Sequence, residues 1–169
     1  MGMKTDLGII GSTEYVEIAG IKKVPAKVDT GADSSAVWAS NINMTEDGVL
    51  SFTLFGEKSP LYTGERIETK DFVARMVRSS HGDVQIRYKV KLPLKILNKR
   101  LEATFTLANR SRNSFPILIG RQLIEGNYLV DVSKTVVARK NRVSSKHLNQ
   151  ELKENPLKFH QKYINSREK

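Results

Sequence analysis

The stretch Val28-Asp29-Thr30-Gly31-Ala32-Asp33-Ser34-Ser35 gathers the residue types in this chain best suited to chemistry. It follows an alternation of apolar and polar residues that predicts a strand, so Asp29 stands where that strand ends. A carboxylate there can act as a general base if a second carboxylate shares its proton, because adjacent like charges do not both ionise cheaply. Asp and Gly are also turn formers, so the same residues make an ordinary strand-ending turn. Alone, the motif leaves both readings open. Far along the chain, Pro116-Ile117-Leu118-Ile119-Gly120 is a continuous apolar run, which predicts a strand buried on both faces.

The elements that must position these residues are mostly strands. Tyr15–Ile18 and Val24–Val28 alternate around Ala19-Gly20 and predict a hairpin. Leu50–Phe55, Val84–Val90 and Leu101–Leu107 have period-two spacing with β-branched or aromatic content. Helical signals are few. Arg121–Glu125 before Gly126 predicts one short helix, and in the tail Asn155 can cap a helix whose first turn holds Pro156. In that tail helix Leu157, Phe159, His160, Tyr163 and Ile164 share roughly one side.

The 169 residues suit one domain with an appendage, read as an all-β body over 1–133 and a basic, partly helical extension over 134–169. The net charge is +10, and from Arg139 onward nine basic residues face three acidic ones. Such a surface favours acidic partners without choosing among them. With no cysteine, disulfides, thiolate metal sites and a Cys nucleophile are excluded. The first twenty residues lack the apolar core of a signal peptide and no stretch approaches a membrane span, so a soluble cytoplasmic protein with no membrane partner is expected.

Taken jointly, Asp29-Thr30-Gly31-Ala32 and the later Ile119-Gly120-Arg121 resemble the retropepsin-type aspartic peptidases. A closer similarity, over roughly Tyr15 to Val132, is to the bacterial and archaeal retropepsin-like family known as ATP-dependent zinc proteases, some of which accompany ligases that add glutamate tails to proteins. It is carried by Ala26–Ala32, Val77-Arg78-Ser79-Ser80 with Arg87, Thr106–Arg110, Phe115–Arg121 and Leu129-Val130-Asp131. The resemblance implies an acid-protease barrel and a homodimer in which each subunit supplies one catalytic Asp29, because the chain has a single Asp-Thr-Gly and is too short for two lobes. It further implies a hydrogen bond from Thr30 across the two-fold axis, close backbone approach at Gly31, and support of the loop by Ala32, Gly120 and Arg121. Asp33 reads as a loop-edge or substrate-facing residue, and Asp131 as structural.

The family's label does not fit these residues. No phosphate-cradling G-x-x-x-x-G-K-[ST] loop is present, and His81, His147 and His160 make no H-E-x-x-H pairing. Where the family often has a His, this chain has Trp38. Neither metal nor cofactor is expected. Ser79-Ser80-His81-Gly82-Asp83 joins two strand-like segments and corresponds in order to the retropepsin flap, with His81 an exposed hairpin residue. Arg75, Arg78 and Arg87 flank it and are candidate readers of substrate carboxylates, with a solvated basic face as the plain alternative. The implied substrate is a protein or peptide, acidic or glutamate-tailed, hydrolysed by an aspartic endopeptidase. The alternative is a non-catalytic dimeric module on the same fold that binds peptide or, less favoured by the residues, nucleic acid. The stretch Asn41 to Lys70 suggests no function.

Overall fold

The structure, a computed structural model, describes residues 7–78, 82–138 and 145–164. Strands β1 (Gly8–Ile10), β2 (Thr13–Ile18) and β3 (Ile21–Val28) open the chain. Ala19 and Gly20 link β2 to β3 with φ of 46° and 82°, the two positive values that a tight hairpin matching strand twist requires. Next come β4 (Ser35–Met44), β5 (Leu50–Leu54), β6 (Arg66–Thr69), β7 (Phe72–Arg78), β8 (Val84–Ile96), β9 (Lys99–Ala108) and β10 (Ile117–Ile119). Helix α1 (Arg121–Ile124) follows Gly120, and β11 (Tyr128–Val130) pairs with β1 in parallel.

Strand β10 explains why its sequence is apolar throughout. It lies parallel to β3 on one side and antiparallel to β4 on the other. With β2, β8 and β9 completing the circuit, this double pairing closes a six-stranded barrel, the retropepsin-like all-β architecture that the motifs imply. Inside, Val90, Leu92, Leu94 and Ile96 of β8 alternate with outward residues and meet Phe105 and Ala103 of β9. The strand expected to end at Val90 thus continues to Ile96, through Pro93. The Pro93 carbonyl still accepts the Ala19 N–H at 2.9 Å, and only the reciprocal bond, at the hairpin end, is lost.

The stretch 41–70 is part of the core. It supplies the end of β4, all of β5 and β6, and the fully buried Leu50, Phe52 and Phe55. Burying side chains of that size contributes about 1.5–3 kcal/mol each. The segment after Ser133 also belongs partly to the body. Thr13 and Val137 exchange bonds of 2.9 and 3.0 Å through the Thr13 hydroxyl, and Ser12 meets Lys134 and Thr135. The body accordingly runs to Ala138, and residues from Arg139 form a second unit.

That second unit holds α2 (Lys146–Glu154) and α3 (Pro156–Tyr163). Helix α3 starts as its residues dictate, with the Asn155 side chain accepting the Lys158 N–H at 3.0 Å and Pro156 in the first turn. Across the pair, Glu151 accepts from the Lys162 ammonium at 2.7 Å and from the Tyr163 hydroxyl at 2.9 Å.

Candidate active site

Strands β3 and β4 are joined by residues 29–34, and β10 lies between those two strands, so the connecting loop must wrap the end of β10. Every anchor of the wrap is a bond. The Asp29 N–H donates to the Ile119 carbonyl at 2.9 Å, while the Arg121 and Gln122 N–H groups donate to the Ala32 and Asp33 carbonyls at 2.8 and 3.1 Å. The buried Ser35 hydroxyl accepts the Gly120 N–H at 3.0 Å. Gly120 is required by closeness: a Cβ there would sit 2.6 Å from the backbone carbon and oxygen of Ser34. Arg121 clamps the loop from outside, donating to the Thr30 and Gly31 carbonyls at 3.3 and 3.2 Å and pairing with Asp33. The loop-support residues expected from sequence (Thr30, Gly31, Ala32, Gly120 and Arg121) are thus brought together around Asp29.

The Asp29 side chain is one-third exposed. Its Oδ1 accepts the Gly31 N–H at 3.1 Å, and the Lys27 ammonium lies 3.8 Å from Oδ2. Thr30 and Gly31 are exposed at the loop tip. A half-buried carboxylate on a rigid rim, oriented by a backbone donor and left open to approach, is equipped to act as a base toward water once a second acid shares its proton.

The hairpin of β7 and β8 projects past the end of β9, whose pairing with β8 starts at Lys89 and Thr106. Its two faces differ. Arg75, Arg87 and Lys89 alternate onto one face, and the Lys89 ammonium reaches the Gln122 side chain of α1 at 3.2 Å. Met76, Val84 and Ile86 occupy the other face and are exposed, with Arg78 beside Val84. Arg78 therefore does not share the face of Arg75 and Arg87. Gly82 lies in the turn, with φ of 89°. Ser79, Ser80 and His81 lie outside the described residues.

Two residues of the site were not singled out as site residues from sequence. Ser35 holds Gly120, which no local pattern announces. Arg110 is half-buried two residues past β9, with Nε donating to the Phe115 carbonyl at 3.1 Å. Burial lowers its pKa, the nearby Arg87 charge lowers it further, and Asp29 draws it back up. Arg110 thus lies within electrostatic reach of both Asp29 and Arg87 of the β7–β8 hairpin. The signal available for it was its place in the stretch Thr106–Arg110. Trp38 packs edge-on against Phe55, its ring also against Gly56. Among the described residues, no three His, Cys, Asp or Glu side chains gather as a metal site would need. Among them also, no helix is long and apolar enough to cross a membrane. Asp131 accepts from the N–H and hydroxyl of Ser133, which hold its pKa below the ordinary value, and so caps a turn.

A closed barrel whose Asp-Thr-Gly loop wraps an apolar strand ending in glycine defines the retropepsin-like class. Residues 9–141 match the family model described as RimB-like, retropepsin-like aspartic endopeptidase RimB, and the chain belongs to that family. Similar curated proteins are named probable alpha-L-glutamate ligase. One from Desulfotalea psychrophila is 30% identical over 128 residues, covering 73% of this chain and 28% of that protein. Another from Shewanella halifaxensis is 30% identical over 132 residues, 75% of this chain and 29% of that one. The chain therefore spans less than a third of these relatives. A crystal structure of a Legionella pneumophila protein of unknown function (DUF785) superposes with a TM-score of 0.60 at 28% identity, over 76% of this chain and 95% of that chain.

Proposed function

We propose that the protein is an aspartic endopeptidase in which Asp29 from each of two subunits forms the catalytic dyad, and that it acts on acidic, glutamate-containing protein tails. The observation that carries this reading is the presentation of Asp29. The loop is fastened to β10 and α1 at each anchor, yet Thr30, Gly31 and part of the carboxylate stay open on one side. In the proposed reaction one Asp29 takes a proton from water while the other, protonated, donates to the scissile carbonyl oxygen. The tetrahedral intermediate then collapses as the first Asp29 passes the proton it took from water to the leaving nitrogen and the second Asp29 takes one back from the intermediate's hydroxyl, giving a carboxylic acid and an amine and restoring the dyad. One Asp-Thr-Gly per chain makes a two-fold partner necessary for this chemistry.

The acidic substrate is supported by the net charge of +10 and by relatives whose names concern glutamate ligation. Neither zinc nor nucleotide enters the proposed reaction. The test is cleavage of glutamate-tailed and ordinary peptides by the wild type and by Asp29→Asn, with circular dichroism to check the fold. Asp29→Asn should lose turnover and keep its fold. Cleavage at the wild-type rate by Asp29→Asn would reduce Asp29 to a turn residue.

A further inference from the structure

Several cations near the site have an acid beside them: Lys27 has Asp29, Arg121 has Asp33 and Lys91 has Asp71. Lys89 has no acid but is bonded to the Gln122 side chain at 3.2 Å, and Arg75, Arg87 and Arg110 also have none within 4 Å among the described residues. Arg75 stands directly across from Arg87 in the β7–β8 register, where like charges repel. The Arg87 guanidinium is bonded to the neutral Gln85 amide oxygen at 2.9 and 3.2 Å. Arg110 uses Nε on the Phe115 carbonyl, and its terminal nitrogens have no hydrogen bond to a described residue. Continuing the β8–β9 register from the Lys89–Thr106 pair carries Arg87 towards Ala108, close to where Arg110 leaves the strand. A half-buried guanidinium beside a second cation is costly unless an anion joins it. A carboxylate arriving there would remove the repulsion and take up the unused donors bidentately.

We infer that Arg75, Arg87 and Arg110 form a single subsite that seats a carboxylate side chain of the bound peptide beside the Asp29 loop, with Arg78 outside it. This rests on the peptidase reading and adds which cations select the substrate. Arg110 is the fixed member, because its Nε is tied to the body, whereas Arg75 and Arg87 ride on the hairpin.

The test uses two fluorogenic peptides that differ only in Glu or Gln around the cleavage site, with kcat and KM measured for the full chain. Arg110→Gln and Arg87→Gln should each lower kcat/KM on the Glu peptide by about ten-fold or more, mainly through KM, and change the Gln peptide by less than about two-fold. Arg110→Lys keeps the charge and should retain part of the preference, and Arg78→Gln should affect both peptides alike. In parallel, fluorescence anisotropy follows the Glu peptide on Asp29→Asn, alone and combined with Arg110→Gln. If the wild type cleaves neither peptide but Arg110→Gln abolishes this binding, the subsite stands and the peptidase reading falls. If the wild type cleaves both peptides equally, the peptidase reading stands and the subsite falls. Equal losses on both peptides in Arg110→Gln, or a weakened dimer in place of lost selectivity, would also overturn the inference.

Discussion

Ser35 and Gly120, 85 residues apart in sequence, share a buried hydrogen bond on which the shape of the Asp29 loop depends. Ser35→Ala leaves the Gly120 N–H unpaired and should cost about 1–3 kcal/mol, read as a lower urea midpoint. Gly120→Ala drives a methyl group into the Ser34 backbone, and with overpacking worth about 1–3 kcal/mol its Tm should fall by roughly 2–12 °C. An unchanged melting curve for both variants would mean that the loop is not held at this point. At this scale the sequence was informative where a residue's role is intrinsic to its type. A lone Asp-Thr-Gly after a strand leaves turn and catalysis open, but taken jointly with a glycine closing a later apolar run it carries the resemblance to one fold. Ser35 and Arg110 do not stand out in this way, because their roles come from what the fold places beside them.

Among the elements, β4 shows why periodicity is silent in a strand covered on both sides. Ser35, Ala36, Val37 and Ala39 are all buried, so no alternation marks Ser35–Met44 as a strand. The neighbouring β5 was legible as a strand from the period-two spacing of Leu50–Phe55, but its alternation gave no sign that all five residues of Leu50–Leu54 are buried. Phe52→Ala should therefore cost about 3–5 kcal/mol in denaturant unfolding, where a surface appendage would cost almost nothing. Helix α2 escaped notice because only Leu148 and Leu152 give it an apolar stripe.

The helical pair α2–α3 also has a pH window. Lys162 first, then Tyr163, holds Glu151 below its ordinary pKa of 4.5, and Glu151 in turn raises Lys162 above 10.5. The Glu151 contribution is present above 4.5 and is lost as pH falls through the lowered value; that of Lys162 is present below 10.5 and is lost as pH rises through the raised one. The side-chain carboxyl carbon resonance of Glu151, followed in the full chain, should make its main titration step below 4.5. A main step centred at or above 4.5 would contradict this.

For the whole molecule, the order of strands around the barrel could not be derived from any local pattern. Closure depends on β10 finding β3 on one side and β4 on the other, which the apolar run of Ile117–Ile119 permits but does not specify. The resemblance of the Asp29 and Gly120 motifs supplied that step. In the proposed reaction, function at this scale hangs on the pairing of two chains, since one chain would carry one half of the dyad. A proton-sharing pair also makes the rate rise and fall with pH, with both limbs belonging to the pair.

Subunit mixing tests the pairing most directly. Wild type is re-equilibrated with an equal amount of Asp29→Asn, and cleavage of a glutamate-tailed peptide is followed per wild-type chain. If both carboxylates are needed, roughly one quarter of random dimers carry two, and activity per wild-type chain falls to about half, dropping further as the variant is raised. Activity per wild-type chain that stays constant at every ratio, in a preparation shown to exchange subunits, would contradict a dyad built from two copies of Asp29.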